Sequence, residues 1–138
     1  MTSPTWLEDI ILVSDGPDET CPGDVAVFRN LTDARAYLEH WSEGIDNAVF
    51  SGTGQRLIMA ADESGNVSIQ ARIDRADGEA IIKAWLTRMA EAILEARRYR
   101  AAKRWGWGRV NLGELEAQGV LPATVEGLIA YVGFTTSR

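Results

Sequence analysis

A long amphipathic segment, residues 79–104, most constrains how this chain can fold. Apolar side chains recur at helical spacing along its first five turns: Ile82, Trp85, Leu86, Met89, Ile93 and Ala96. Such a stripe predicts a helix that packs against a core. Four cations then replace the apolar residues on the same helical wheel: Arg97, Arg100, Lys103 and Arg104. The core cannot continue under these cations, so the basic end of the helix must break, bend or project.

Five short segments carry β-strand signals and supply a sheet for that helix. They are residues 9–13, Val25–Phe28, Ala48–Ser51, Arg56–Ala61 and Val67–Ile73. Turns rich in Gly, Asp and Asn separate the last three segments, which predicts antiparallel hairpins. The apolar residues of the last segment alternate with polar ones, so we expect them on one face of the sheet: Val67, Ile69, Ala71 and Ile73.

Shorter helices complete the predicted fold. Thr32 is expected to cap a helix that ends before Gly44 and has one apolar face: Leu31, Ala34, Leu38 and Trp41. Asn111 can cap a short helix through Gln118, and Thr124 a last helix that ends at Gly133. The prediction is therefore a single α+β domain, residues 1–138. In it, one face of a small antiparallel sheet packs against the long helix and the first helix.

The amino-acid totals are those of an ordinary globular domain. A chain of 138 residues with 46% hydrophobic residues can bury a core without added cross-links. Cys21 is its single cysteine, so no internal disulfide is possible. Residues 1–13 contain no Lys or Arg, unlike a secretory signal, and no segment is apolar enough to span a bilayer. We therefore expect a cytoplasmic protein.

Charge is distributed unevenly along the chain. Residues 1–80 hold 15 acidic and 5 basic side chains, whereas residues 81–109 hold 2 acidic and 8 basic ones. The net charge of −6 disfavours nucleic acid as a partner, because affinity for nucleic acid comes mainly from Lys and Arg. Such asymmetry marks either a binding surface or two parts of one fold that neutralise each other.

The sequence contains no clear catalytic or cofactor motif. Cys21 and His40 could pair as nucleophile and base, but the helical wheel turns His40 away from the apolar face. The Gly52-Thr-Gly54 turn lacks the third glycine and the following helix of a phosphate-binding loop. The acidic residues between 15 and 24 match no calcium-loop spacing. We therefore expect a non-enzymatic protein without a metal or a cofactor.

The basic and aromatic run at residues 97–109 allows three interpretations. It could dock internally against the acidic residues 15–24, contact an acidic surface of a partner protein, or bind single-stranded nucleic acid. In the last two cases the anion-binding residues would be the cations and tryptophans of the run: Arg97, Arg100, Lys103, Arg104, Trp105 and Trp107. Internal docking or simple solvation is the favoured interpretation, because the acidic surplus elsewhere would repel a polyanion.

The layout of residues 28–89 resembles that of small bacterial proteins that protect a cell from its own polymorphic or contact-dependent toxins. The resemblance rests on a helix that begins within Phe28-Arg-Asn-Leu-Thr-Asp33, a hairpin that carries Gly54-Gln-Arg-Leu57, and Gly65-Asn-Val67 before a long helix. It implies a stoichiometric inhibitor that covers a toxin's active site or binding surface and has no catalytic residues of its own.

The acidic loops are the expected contact surface for such a partner. Many toxins of this kind are basic nucleases, and an acidic inhibitor would associate faster with a basic protein through charge steering. The candidate partner-binding residues all lie in predicted loops: Asp15, Asp18, Glu19, Asp24, Glu43 and Asp46. The oligomeric state stays open at this point.

Overall fold

The chain folds into five strands and three α-helices. The structure is a computed structural model, and it describes residues 5–16, 19, 23–40, 47–105 and 121–135. A 3-10 helix at Thr5–Glu8 precedes strands β1 (Ile11–Ser14) and β2 (Val25–Phe28), helix α1 (Leu31–His40), strands β3 (Ala48–Ser51), β4 (Arg56–Ala61) and β5 (Val67–Ile73), and helices α2 (Gly78–Trp105) and α3 (Val125–Val132). The predicted α+β class is confirmed.

The five strands form one antiparallel sheet in the order β2-β1-β3-β4-β5. The first and second strands, the third and fourth, and the fourth and fifth are joined directly as hairpins. Helix α1 makes the longer connection from the edge strand β2 to β3, which pairs with the opposite side of β1. The connection between β1 and β2, residues 15–24, carries much of the predicted partner surface.

Helices cover both faces of the sheet. Leu12 of β1 belongs to a core cluster with α2 and α3, whereas its neighbours Ile11 and Val13 belong to a second cluster with α1. The prediction that α1 and α2 share one face is therefore wrong. The physical reason is that β1 and β3 are buried at every position, so each face of these central strands needs its own cover.

A β-bulge redirects the second half of β5. Val67 and Ile69 lie on the α1 face, but the register then passes from Met59–Ile69 to Ile58–Ala71. One residue, Gln70, is extra at this point, so Ala71 and the residues beyond it exchange faces. Ile73 consequently pairs with Arg56 on the α2 face, where 47% of it is exposed. The predicted single apolar face of this strand is wrong for that reason.

Helix α2 follows the predicted span closely, but its buried stripe drifts around the helix. Ile82, Trp85 and Leu86 are buried as expected, and the stripe continues through Ala90 and Leu94. Ala96, a predicted member of the stripe, is exposed instead. The drift arises because α3 packs along α2 and its apolar side chains join the same core cluster.

The basic end of α2 projects as an unbroken helix. Residues 95–100 are all exposed, and the helix continues to Trp105. The guanidinium of Arg97 lies 4.8 Å from the ring centre of Tyr131 on α3, a favourable cation–π distance. Of the three possibilities left open by the pattern, the helix neither breaks nor ends early. No helix that the structure describes combines the length with the apolar character that crossing a membrane requires.

Capping differs from expectation at one helix and agrees at another. Asn30, not Thr32, caps α1, because its Oδ1 accepts the Asp33 amide N–H at 2.9 Å. Thr124 caps α3 as predicted, and Gly133 follows that helix with a φ of 79°. The error at α1 is one of position, since an asparagine directly before Leu31 provides an equally good cap. The predicted helix at residues 111–118 and the predicted stop at Gly44 lie outside the described residues.

The start of α2 is pressed against the turn between β3 and β4. A Cβ on Gly78 would overlap the carbonyl oxygen of Gly54. A Cβ on Gly54 would lie 2.6 Å from the amide nitrogen of Glu79, and Gly54 itself has a φ of +91°. Two glycines therefore allow the backbones of the turn and the helix to touch.

Gly78→Ala tests this contact, because helix propensity and packing predict opposite signs. Propensity alone would stabilise the first turn of α2 by up to about 1 kcal/mol. We expect instead a loss of about 2 to 3 kcal/mol in the free energy of unfolding, measured by urea denaturation, because the added methyl overpacks the turn.

Gly65→Ala is the matched control for this experiment. Gly65 has a φ of +84°, but a Cβ added to it would meet no other atom within 4 Å. Its substitution should cost only about 1 kcal/mol of backbone strain. Equal losses at the two positions would contradict the close contact between Gly78 and Gly54.

Candidate functional site

The connection between β1 and β2, residues 15–24, is named the acidic loop below. Two hydrogen bonds close its base: the Asp15 N–H donates to the Asp24 carbonyl at 3.0 Å, and the Asp24 N–H donates to the Asp15 Oδ1 at 2.7 Å. Gly23 turns the chain there with a φ of +59°, and a Cβ on it would lie 2.8 Å from the Asp15 Oδ1. Asp15 and Asp24 are both exposed, so the closed base presents two carboxylates to solvent.

These two carboxylates make the nearby surface electronegative. The pKa of Tyr37, on α1, is raised from its ordinary value, first by burial and then by the negative charges of Asp15 and Asp24. A phenol is harder to ionise beside fixed negative charges, so the direction of this shift reports their field. The charge of the loop base is therefore felt on the α1 side of the sheet.

Glu19 points the other way and ties the loop to the α2 face. Its carboxylate forms ion pairs with Arg56, at 3.3 Å, and with Arg75. Its carbonyl oxygen accepts the indole N–H of Trp85 at 2.9 Å. Only 25% of the Glu19 side chain is exposed, so this residue is a structural anchor for the loop.

The two arginines that hold Glu19 are themselves fixed. Both guanidinium groups lie over the ring of Phe50, at 5.6 Å for Arg56 and 5.8 Å for Arg75. Arg56 also donates to the carbonyl oxygens of Val49 and Leu57. Its pKa is lowered mainly by burial, against which the charge of Glu19 acts. These contacts build a rigid seat for a single carboxylate before the loop closes on it.

Arg75 also binds the carboxylate of Asp77 just before α2. Its Nε donates to Asp77 Oδ1 at 3.0 Å and its Nη2 donates to Asp77 Oδ2 at 2.9 Å. This two-point contact lowers the pKa of Asp77 and raises that of Arg75. Arg75 therefore joins the acidic loop, the end of β5 and the beginning of α2.

A groove of about 440 Å³ opens between the end of the acidic loop and α2. Residues 23–25 form one wall, and the opposite wall belongs to the helix. The helical lining is apolar except for one cation: Trp85, Arg88, Met89, Ala92 and Ile93. The indole of Trp85 is held by Glu19 and meets the Phe50 ring edge-on at 5.3 Å between ring centres.

The structure separates the predicted partner-binding residues. Asp15, Glu19 and Asp24 lie together in the acidic loop, but only Asp15 and Asp24 face solvent with their charges. Asp18, Glu43 and Asp46 lie outside the described residues. The ion pairs of Glu19 were not predicted. Arg56 and Arg75 are two of only five basic residues among the first 80, a scarcity that could have directed attention to them.

The alternative anion-binding residues are only partly described. Arg97 and Arg100 are exposed on α2, while Trp107 lies outside the described residues. Lys103, Arg104 and Trp105 belong to the helix, whose backbone alone is described there. Among the ion pairs of the described residues, none joins the basic helix end to the acidic loop. The carboxylate of Glu19 is held by strand-end arginines instead.

The other candidates for chemistry give no site in the described part of the chain. Ser51 ends β3 as expected, and its hydroxyl lies 2.8 Å from that of Thr53 and accepts the Gln55 N–H at 3.1 Å. These bonds satisfy a buried serine within its turn. Cys21 and the side chain of His40 are not described. No group of three or more His, Cys, Asp or Glu within the described ranges is placed to hold a metal ion.

Comparison with known proteins leaves the site to be interpreted from its own chemistry. No family model, curated protein or solved structure matches the chain. What the described residues do show is an acidic loop with two outward carboxylates, an inward anchor and an adjoining apolar groove. The function is therefore inferred from the charge and shape of this region.

Arg75→Gln tests the arginine seat through the titration of Asp77. In the native protein the carboxyl pKa of Asp77 lies below its usual range, because the Arg75 guanidinium binds the ionised form. A depressed pKa in the folded state stabilises the protein above the unfolded carboxyl pKa of about 3.9. That contribution is lost as the pH falls through the folded value. We expect the variant to return the Asp77 pKa to its ordinary range in an NMR titration.

Asp62 is an internal control in the same titration. Its pKa is also lowered, but mainly by the backbone N–H of Asn66 and by further hydrogen bonds within the turn between β4 and β5. The Asp62 pKa should therefore stay low in the Arg75→Gln protein. A parallel rise of both pKa values would indicate general unfolding, and an unchanged Asp77 pKa would contradict the contact with Arg75.

Proposed function

We propose that this chain is a non-enzymatic, cytoplasmic protein-binding domain that neutralises a basic toxin domain of a bacterial toxin system by covering it stoichiometrically. The observation that carries the proposal is the pair of outward carboxylates, Asp15 and Asp24, on a loop whose base and middle are both fixed. The layout resemblance of residues 28–89 to immunity proteins supplies the class of partner. The acidic surplus of residues 1–80 supports a basic partner.

The fixed shape of the acidic loop favours binding over mobility. Hydrogen bonds between Asp15 and Asp24 close its base, and Glu19 anchors its middle to Arg56 and Arg75. A binding loop that is already ordered loses less conformational entropy when a partner docks. The exposed carboxylates then act mainly on the association rate, because opposite charges steer two proteins into encounter.

The neutralisation of one carboxylate inside the loop also sharpens the outer surface. Glu19 satisfies two arginines that would otherwise weaken the negative field of the same region. The carboxylates of Asp15 and Asp24 face outward without an ion pair to any described cation. A basic partner would therefore meet net negative charge at this end of the sheet.

The proposed partner is the product of the gene beside the one that encodes this chain, and its binding kinetics test the acidic loop. Co-expression should yield a one-to-one complex in which the toxin activity is lost. In the double variant Asp15→Asn and Asp24→Asn, we expect the association rate to fall by about tenfold at low salt, while the dissociation rate changes less. Surface plasmon resonance at two salt concentrations separates the two rates.

Asp62→Asn with Glu63→Gln is the matched control, because it removes two charges from the turn between β4 and β5. Both Asp15 and Asp62 use Oδ1 to accept backbone N–H groups, and asparagine keeps that acceptor. The control should therefore leave the association rate within about twofold. Equal effects of the two double variants would contradict a role for the acidic loop, and failure to bind the neighbouring gene product would count against the inhibitor.

A second candidate function rests on the projecting basic end of α2. Arg97, Arg98 and Arg100 are exposed on a helix that extends past the core, and Tyr99 beside them is 59% exposed. Cations interleaved with an aromatic ring suit single-stranded nucleic acid, whose phosphates and bases they would contact. The net charge of −6 opposes this function, so it stays the alternative.

Binding of a fluorescent single-stranded oligonucleotide tests this alternative. If the helix end binds nucleic acid, affinity should fall with rising salt, and Arg97, Arg100 and Arg104 to Ala should abolish it. Lys83→Ala with Arg88→Ala offers a control that removes cations from the preceding part of the same helix. Absence of binding at low salt would exclude the alternative.

A further inference from the structure

The groove beside the acidic loop is built from parts that are each held by separate contacts. Val25 begins β2, whose pairing with β1 fixes it to the sheet. Trp85 is 2% exposed and is held by the Glu19 carbonyl and by the edge-on contact with Phe50. Met89 packs against the same core cluster. The groove therefore exists before any partner arrives.

The groove is apolar inside and charged at its margins. Val25, Trp85, Met89, Ala92 and Ile93 provide its apolar lining. Asp24 stands on the loop wall, and Asp15 is held next to it by the hydrogen bonds of the loop base.

The remaining charged group of the groove is Arg88, on the helical wall. The described residues form no ion pair between Asp24 and Arg88. The groove thus offers two carboxylates on one side and one guanidinium on the other.

We propose that this groove receives one bulky apolar side chain of the partner, next to a Lys or Arg that lies against Asp24 and Asp15. The inference rests on the proposed function and names the contact that would hold the complex together. An apolar side chain buried in a preformed pocket, surrounded by charged residues, is the usual form of an energetic hot spot. The charge of the loop wall selects a basic segment as the occupant.

Three synthetic helical peptides serve as probes, because they separate charge from apolar contact. The first repeats Leu-Lys-Lys-Leu, the second replaces each leucine by glutamine, and the third replaces each lysine by glutamate. The indole N–H signal of Trp85, assigned in two-dimensional NMR, reports on the groove. We expect the first peptide to shift this signal and to bind at least about tenfold more tightly than the other two.

Ala92→Trp blocks the groove, and Ala84→Trp is its matched control. Both alanines are exposed on α2, but only Ala92 lines the groove. Tryptophan at position 92 should weaken the first peptide by about tenfold or more, while tryptophan at position 84 should leave its affinity within about twofold. Asp24→Asn should weaken it about threefold and reduce its salt dependence.

The possible outcomes separate the groove from the proposed function. Equal binding of the lysine peptides with and without leucine would overturn the groove but keep the acidic surface as a binding site. No shift of the Trp85 signal at any soluble concentration, or equal affinity in the two tryptophan variants, would also overturn the groove. The same holds if the protein self-associates and Ala92→Trp makes it monomeric, because the occupant would then be a second copy. Loss of binding to the neighbouring gene product in both aspartate double variants bears on the proposed function alone.

Discussion

The burial of the two central strands on both faces determines the architecture of this protein. β1 and β3 are buried at all their positions, so no face of them can be left to solvent. Helix α1 must therefore cover one face while α2 and α3 cover the other. The chain satisfies this by running β1 and β2 as a hairpin, crossing with α1, and returning to the free side of β1 with β3. The acidic loop and the groove both lie where this sheet meets α2.

The acidic loop depends on that arrangement through a single carboxylate. Because α2 lies on the same face as Phe50 and Arg56, Glu19 can reach two arginines and the indole of Trp85 at once. Partly exposed ion pairs contribute little individually, but here both guanidinium groups are also stacked on an aromatic ring and bonded elsewhere. The cluster therefore fixes geometry more than it adds stability. One acidic residue is turned inward so that two others can face outward in a defined position.

The regular elements could be predicted from the sequence, whereas the contacts between distant residues could not. Strand periodicity and the long stripe of α2 are local patterns, and they located the elements within a few residues. The inward turn of Glu19 depends on Arg56 and Arg75, which are far away along the chain and have no local relation to it. The bulge at Gln70 arises from pairing with β4, so an alternating strand pattern cannot reveal it. The choice of Asn30 over Thr32 as a cap was ambiguous because both types cap helices well.

A stoichiometric inhibitor needs both a fast encounter and a slow release, and these depend on different parts of this surface. Exposed carboxylates raise the association rate but are screened by salt and hold a complex weakly once it has formed. Buried apolar contacts are insensitive to salt and mainly slow dissociation. Asp15 and Asp24 lie beside a groove lined by Trp85, Met89 and Ile93, so both contributions could act on one segment of a partner. The projecting basic helix end forms no ion pair with the acidic loop among the described residues, so it leaves the charge of that surface uncompensated.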